Sequence, residues 1–226
     1  KHVQPYVGKT KAELISALLP RYSGQKTGIP KQINFMLLNA MFGTKHIETG
    51  TNAILASKYL IKNIEVQKSG MPKQSMSFPE FSFTEVAKVP FEDSDLYDML
   101  SNQHFLVAFW RKGDDGLVRF QGLKSWDMPE EDIDSDVKAV YEQTANLLRE
   151  GKALRYNPNG SIRDAFPKSN FLHRVCHVRP HTTKGGKEEP LPCPDKITGK
   201  TAYKKMCFWL NARYLKQKFV DKLPKK

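Results

Sequence analysis

The sequence is poor in several things, and each shortage excludes something. Three cysteines, Cys176, Cys193 and Cys207, stand in 226 residues. So sparse and odd a set builds no disulfide framework and favours a reducing compartment. No apolar run approaches the ~20 residues that span a bilayer, and no signal peptide is visible. A cytoplasmic protein without a membrane partner is therefore expected. Acid is scarce beside base: Lys+Arg 36 against Asp+Glu 24 gives a formal net charge of +12. Many of the acids crowd into residues 80–98 and 127–136, so the remaining surface is more basic than the total suggests. A polyanion is the natural partner of such a surface, although basic charge can also be incidental. No methionine precedes Lys1, so the chain is expected to be a piece of a longer protein.

A metal-ion nuclease centre is also missing. Such a centre needs carboxylates to hold Mg²⁺ and a lysine beside the attacking water. Glu-x-Lys on a strand supplies both on one face, because side chains two apart share a pleat face. The strand pattern at 59–67 (YLIKNIEVQ) is suitably placed, with Leu60, Ile64 and Val66 on one face and Tyr59, Ile61, Asn63, Glu65 and Gln67 on the other. Yet it reads Glu65-Val66-Gln67, and Lys58 stands upstream where a second carboxylate would be needed. One isolated Glu does not make a cage. His173, Cys176, His177, His181 and Cys193 match no zinc-finger spacing, and alternation sends Cys176 away from His173 and His177.

The elements that are present predict a mixed α and β chain. Thr10 to Glu13 reads as a capping box that opens a helix with Leu14, Ile15, Leu18 and Leu19 inward and Pro20 at its end. A basic loop with Lys26 and Lys31 leads to Pro30, which is expected to begin a second helix. Ile33, Met36, Leu37, Ala40 and Met41 form its stripe, Asn39 lies beside it and Gly43 stops it. A strand is expected around 81–86. Two strands flank Gly113-Asp-Asp-Gly116, a hairpin signal, with Phe109 and Trp110 in the core or on the hairpin face. Ser135 or Asp134 is expected to cap a helix that runs through Val140, Tyr141 and Leu148 to Gly151. Residues 155–171 read as an irregular connection and 206–210 as a strand. Asn211 is expected to cap a terminal helix.

The stretch 172–187 (LHRVCHVRPHTTKGGK) alternates as a strand to Arg179, and Pro180, without an N–H, ends it. Arg179 offers a planar fork suited to guanine or phosphate, and Lys184 and Lys187 follow on a glycine-bearing turn suited to the adjoining backbone. A solvated hairpin loop is the plainer reading of the same residues.

In order, these pieces (ELISALLP, GIPKQINFMLLNAMFG, YLIKNIEVQ, VKAVYEQTANLLREG, LHRVCHVRPHTTKGGK and MCFWLNARYLKQKFV) resemble the MutH family of GATC-directed endonucleases, and within it the C-terminal half of the Sau-type type II restriction enzymes. The resemblance implies an α/β (α+β) fold with a central mixed sheet, one domain over 1–226 with two lobes, and two arms around a DNA-binding cleft. It places the family's catalytic positions at Asn39, Lys58, Glu65 and Gln67, of which Glu65 alone keeps the family residue. It therefore implies a noncatalytic domain without a metal of its own, Mg²⁺ being needed by a catalytic half. Its DNA-binding residues would be Arg179 and Pro180 in the major groove with His181 beside them, Phe78 or Phe81 as an inserted aromatic, and Lys26, Lys184, Lys187, Lys204 and Lys205 near the backbone. The implied partners are double-stranded GATC DNA and an N-terminal MutH-like half of one bacterial polypeptide. Two other readings stay open: an active Mg²⁺ nuclease built on Glu65, and a protein-interaction domain.

Overall fold

The computed structural model describes residues 2–25, 27–43, 59–170, 173–181 and 186–220. The chain divides into two compact units. Unit 1 draws on 1–74, 103–127 and 219–226, and unit 2 on 75–102 and 128–218.

Unit 1 holds a mixed sheet. Strand β1 (Tyr59–Val66) runs parallel to β3 (His104–Lys112), and β3 pairs antiparallel with β4 (Val118–Trp126) across the Gly113–Gly116 turn. The α+β class with a mixed sheet, implied by the sequence, is what the structure has. Helix α1 (Lys11–Leu18) starts as its capping box dictates: the Glu13 N–H donates to Thr10 Oγ1 and the Thr10 N–H to Glu13 Oε2. Helix α2 (Ile33–Met41) begins three residues after Pro30, beyond a turn in which the Ile33 N–H donates to the Pro30 carbonyl. Leu14, Leu37, Trp110 and Phe120 are fully buried in the core that joins these helices to the sheet.

Unit 2 has its own antiparallel sheet, in the order β2 (Met76–Phe81), β10 (Met206–Leu210), β7 (Cys176–Arg179). Helices α3 (Phe83–Lys88) and α5 (Lys138–Arg149) pack together, with Arg149 donating to the Ala87 carbonyl and the Tyr141 hydroxyl to that of Val89. The short helix α4 (Asp95–Ser101) follows α3 in the chain. Two hairpins complete the unit, β5 (Leu154–Tyr156) with β6 (Ile162–Asp164) and β8 (Glu188–Pro190) with β9 (Ala202–Lys204).

Several expectations are corrected here. Residues 83–88 are a helix, not a strand, because Ser82 caps it by accepting the Glu85 N–H. The α5 helix is not capped at Asp134 or Ser135. Helical turns begin at Glu130 and pass through a π-helical turn, Ile133–Val137, in which Ser135 donates to the Glu131 carbonyl. The connection at 155–171 contains the β5–β6 hairpin, turned at Asn157–Gly160. The strand expected from Leu172 begins only at Cys176, because the N–H groups of Arg174, Val175 and Cys176 all converge on the Asp136 carboxylate. Three donors aimed at one carboxylate cannot also alternate along a ladder. Asn211 precedes the terminal helix α6 (Ala212–Leu215) but its side chain does not cap it. That side chain bonds His173 and His177 instead.

Candidate nucleic-acid interface

The end of β1 decides what unit 1 can do chemically. Gln67 to Met71 form a tight turn: the Gln67 N–H donates to the Met71 carbonyl, and Gly70 takes the positive φ of 77° that the reversal requires. The chain then returns beside β1, with the Lys73 N–H on the Glu65 carbonyl at 2.7 Å. This delivers the Lys73 ammonium to Glu65 Oε1 at 3.1 Å, while Lys11 reaches Oε2 at 3.2 Å from the first turn of α1. Lys11 is itself placed over the Trp110 ring, 5.5 Å from its centroid, and the Trp110 indole donates to Asn63 at 2.9 Å. Burial alone would raise the Glu65 pKa. The Lys11 charge and the hydrogen bonds from both ammoniums outweigh it, and the carboxyl stays below its usual range.

One carboxylate between two ammoniums carries local charge of about +1. Mg²⁺ is a hard cation that wants several oxygen ligands, and here it would meet one carboxylate already engaged on both oxygens. Gln67, half-buried just past the strand end, offers an amide where the family has a lysine, and Asn39 is 1% exposed on α2. Lys58 and Lys26 lie outside the described residues. The residues present do not fit a catalytic metal centre.

Unit 2 presents the base-reading candidate. Strand β7 ends at Arg179 as Pro180 requires, and Arg179 lies opposite Cys207 in the sheet. Its guanidinium lies over the Trp209 ring, 3.9 Å from the centroid, and the Trp209 indole N–H donates to the Arg179 carbonyl at 3.1 Å. One tryptophan thus holds both ends of one arginine. Burial pushes the Arg179 pKa below its usual value, and its Nε is buried with no hydrogen-bond partner among the described residues. The His181 ring is exposed, 5.6 Å from Trp209, and His177 stacks on the same indole at 6.4 Å.

His177 is a packing residue. Asn211 Nδ2 donates to the His173 carbonyl at 2.8 Å, so Asn211 Oδ1 faces the imidazole and accepts from Nδ1–H. Burial lowers the His177 pKa to about 4 against that hydrogen bond, with the Arg179 charge helping. The imidazole is therefore neutral at pH 7. Cys176 beside it is a buried thiol pushed up to about 12, chiefly by desolvation, and is no nucleophile.

The Lys205 N–H donates to the Lys187 carbonyl at 3.0 Å, two residues along from the Cys207–Arg179 pair. The backbone thereby brings Arg179, Lys187 and Lys205 to one end of the sheet, with Lys187 exposed. Lys204 rests over Tyr203 at 5.4 Å, and Lys205 is paired with Glu189 at 3.3 Å, which reduces its value as a phosphate contact. Lys184 lies outside the described residues. Phe78 corrects the expectation of an inserted aromatic: it is 4% exposed in β2 and cannot wedge between bases from there. The alternative, Phe81, is half-buried and packs on Phe208 at 4.6 Å.

The chain is 30% identical to the type II restriction enzyme Sau3AI of Staphylococcus aureus over an alignment of 250 residues, covering 97% of this chain. It spans about half the length of that enzyme, 50%. No protein-family model matches it. Among the described residues no helix is long and apolar enough to cross a membrane.

Three residues that build these sites were not singled out by sequence reasoning: Lys11, Lys73 and Trp209. Lys11 is far from Glu65 in sequence, Lys73 is close but reaches it only through the turn at 67–71, and neither carries a motif. Trp209 had a signal, since it alternates with Phe208 on a strand paired to the Arg179 segment, but the pairing had to be known first.

Proposed function

We propose that this chain is a noncatalytic reader of double-stranded DNA at GATC and an allosteric effector of a type II restriction endonuclease. The observation that carries the reading is the Glu65 carboxylate closed by Lys11 and Lys73 at the position where the resembled family cuts. An arginine fork held on Trp209 at a strand end supports base reading, because an ordered guanidinium loses less freedom when it meets guanine. By the same reading the chain is the C-terminal half of its polypeptide, and an N-terminal half supplies the Mg²⁺ chemistry. DNA would couple the halves to the extent that it prefers one arrangement of them over another.

The test is a metal-free titration of the chain against two short duplexes that differ only in a GATC or scrambled core, at two salt concentrations. The expected result is tighter GATC binding that weakens with salt. Arg179→Ala should cost about 1–3 kcal/mol on GATC and little on the scrambled duplex. Equal loss on both duplexes would refute base reading. Cleavage of GATC plasmid by the chain with Mg²⁺, abolished by Glu65→Ala, would establish an active nuclease instead.

A further inference from the structure

Unit 2 contains a pocket of about 260 Å³ whose chemistry is opposite to that of the rest of the molecule. Phe78, Phe81, Met99, Tyr141 and Phe208 give it an apolar, largely aromatic wall, and Glu80, Glu85, Asp93 and Asp95 supply its charge. Among the described residues no Lys, Arg or His lines it. All four carboxylates are exposed, and none pairs with a cation among the described residues. Helix N-termini explain Glu85 and Asp95, each in the first turn of a helix. They do not explain Glu80 on β2, nor why Phe81 and Met99 stay only half-buried in front of the buried Phe78, Tyr141 and Phe208.

The wall is ordered. Phe81 and Tyr141 pack on Phe208 from two sides, at 4.6 Å and at 5.8 Å with ring planes 19° apart. DNA is disfavoured as occupant, because four unpaired carboxylates clustered at the rim repel phosphate. Basic protein side chains fit. Lys and Arg carry an aliphatic stem that covers aromatic surface and a cation that can reach the rim.

We propose that this pocket docks a basic segment of a protein partner, with an Arg or Lys stem laid on Phe81 and Met99 and its cation among Glu80, Glu85, Asp93 and Asp95. Charge complementarity on a chain of net charge +12 carries the assignment. The identity of the partner as the catalytic half of a longer polypeptide rests on the function proposed above; the chemistry of the pocket does not. Its place in the sheet gives it a further meaning. Phe208 in the pocket wall and Trp209 under Arg179 are consecutive residues of β10, so they project to opposite faces. DNA reading and partner docking share a strand.

The test uses the whole chain and two labelled twelve-residue peptides with the same leucines, one carrying three arginines and the other three glutamates. Fluorescence anisotropy should show salt-sensitive binding of the arginine peptide only. The exposed charge reversal Glu85→Lys with Asp95→Lys should weaken it by on the order of tenfold. Amide NMR shifts should fall on residues 80–99. The same variant should leave GATC binding unchanged, so loss of DNA reading and loss of docking are read separately. Equal binding of both peptides, indifference to the charge reversal, or spermine binding as well as the peptide would overturn the proposal. So would a self-association of the chain that the charge reversal abolishes, since the occupant would then be a second copy.

Discussion

Trp209 is the residue whose replacement most directly tests how the arginine is presented. It makes two contacts with Arg179, its indole N–H on the carbonyl and its ring under the guanidinium. Trp209→Ala would remove both but also empty a 5%-exposed core position, at a stability cost of about 3–5 kcal/mol that would confuse the result. Trp209→Phe keeps a ring and removes the N–H. A net hydrogen bond is worth about 1 kcal/mol. A smaller ring weakens the cation–π attraction by some part of its roughly 0.5–2 kcal/mol. Together these give about 1–1.5 kcal/mol, a five- to tenfold loss in GATC affinity by the rule that 1.4 kcal/mol is tenfold. Affinity for the scrambled duplex should barely change, since phosphate contacts remain. In the Arg179→Ala background the same substitution should have no further effect on the GATC-to-scrambled ratio, because the side chain it positions is gone. The assay is the metal-free duplex titration on all four combinations, with thermal melts to confirm folding. A Trp209→Phe loss that is equal on both duplexes, or that persists without Arg179, would refute the idea that Trp209 acts through Arg179.

Three further outcomes follow from the same structure. Gln67→Lys restores the family's Glu-x-Lys spelling but should give no Mg²⁺-dependent plasmid cleavage, since Glu65 is already bound on both oxygens and the change adds a third cation. The folded His177 has its pKa near 4 while the unfolded chain has about 6.5, so between these values the unfolded state binds more protons and stability falls as pH falls, by up to about 3 kcal/mol. Urea midpoints at pH 7 and 4.5 measure this, and His177→Gln should flatten that slope. Asp136→Ala leaves the N–H groups of Arg174, Val175 and Cys176 without their acceptor, and should cost about 2–3 kcal/mol in urea unfolding.

Much of the fold is legible where the signal is local. The Thr10 capping box, the Gly113–Gly116 hairpin and the stop at Pro180 are where the residues place them, because each is set by the chemistry of a few neighbours. Misreadings came where a side chain serves a distant partner. Asn211 is a good N-cap residue by type, but His173 and His177 take its amide. Ser135 looks like a cap, yet the helix has already begun at Glu130, and the π-turn that contains Ser135 aims Asp136 at another segment. Phe78 stands where the resemblance places an inserted aromatic, and the pairing of β2 with β10 buries it. At the candidate sites, the residues to examine (Glu65 and Arg179) were legible. Their keepers, Lys11, Lys73 and Trp209, were not, since Lys11 and Trp209 come from a helix and a strand remote in sequence and Lys73 depends on a tight turn that brings it back beside β1.

The two lysines at Glu65 explain how this strand end stays folded around a single carboxylate. A metal-binding cluster of carboxylates is self-repelling until the ion arrives, and the fold must bear that cost. Here the one remaining carboxylate receives an ammonium on each oxygen from its own chain. The strand end is electrostatically satisfied in the absence of any ligand, and the residual positive charge suits a nearby phosphate better than a divalent cation. Under the function proposed above, the arrangement that would forgo cutting would also favour a surface that holds DNA, and base reading at Arg179 would not depend on it.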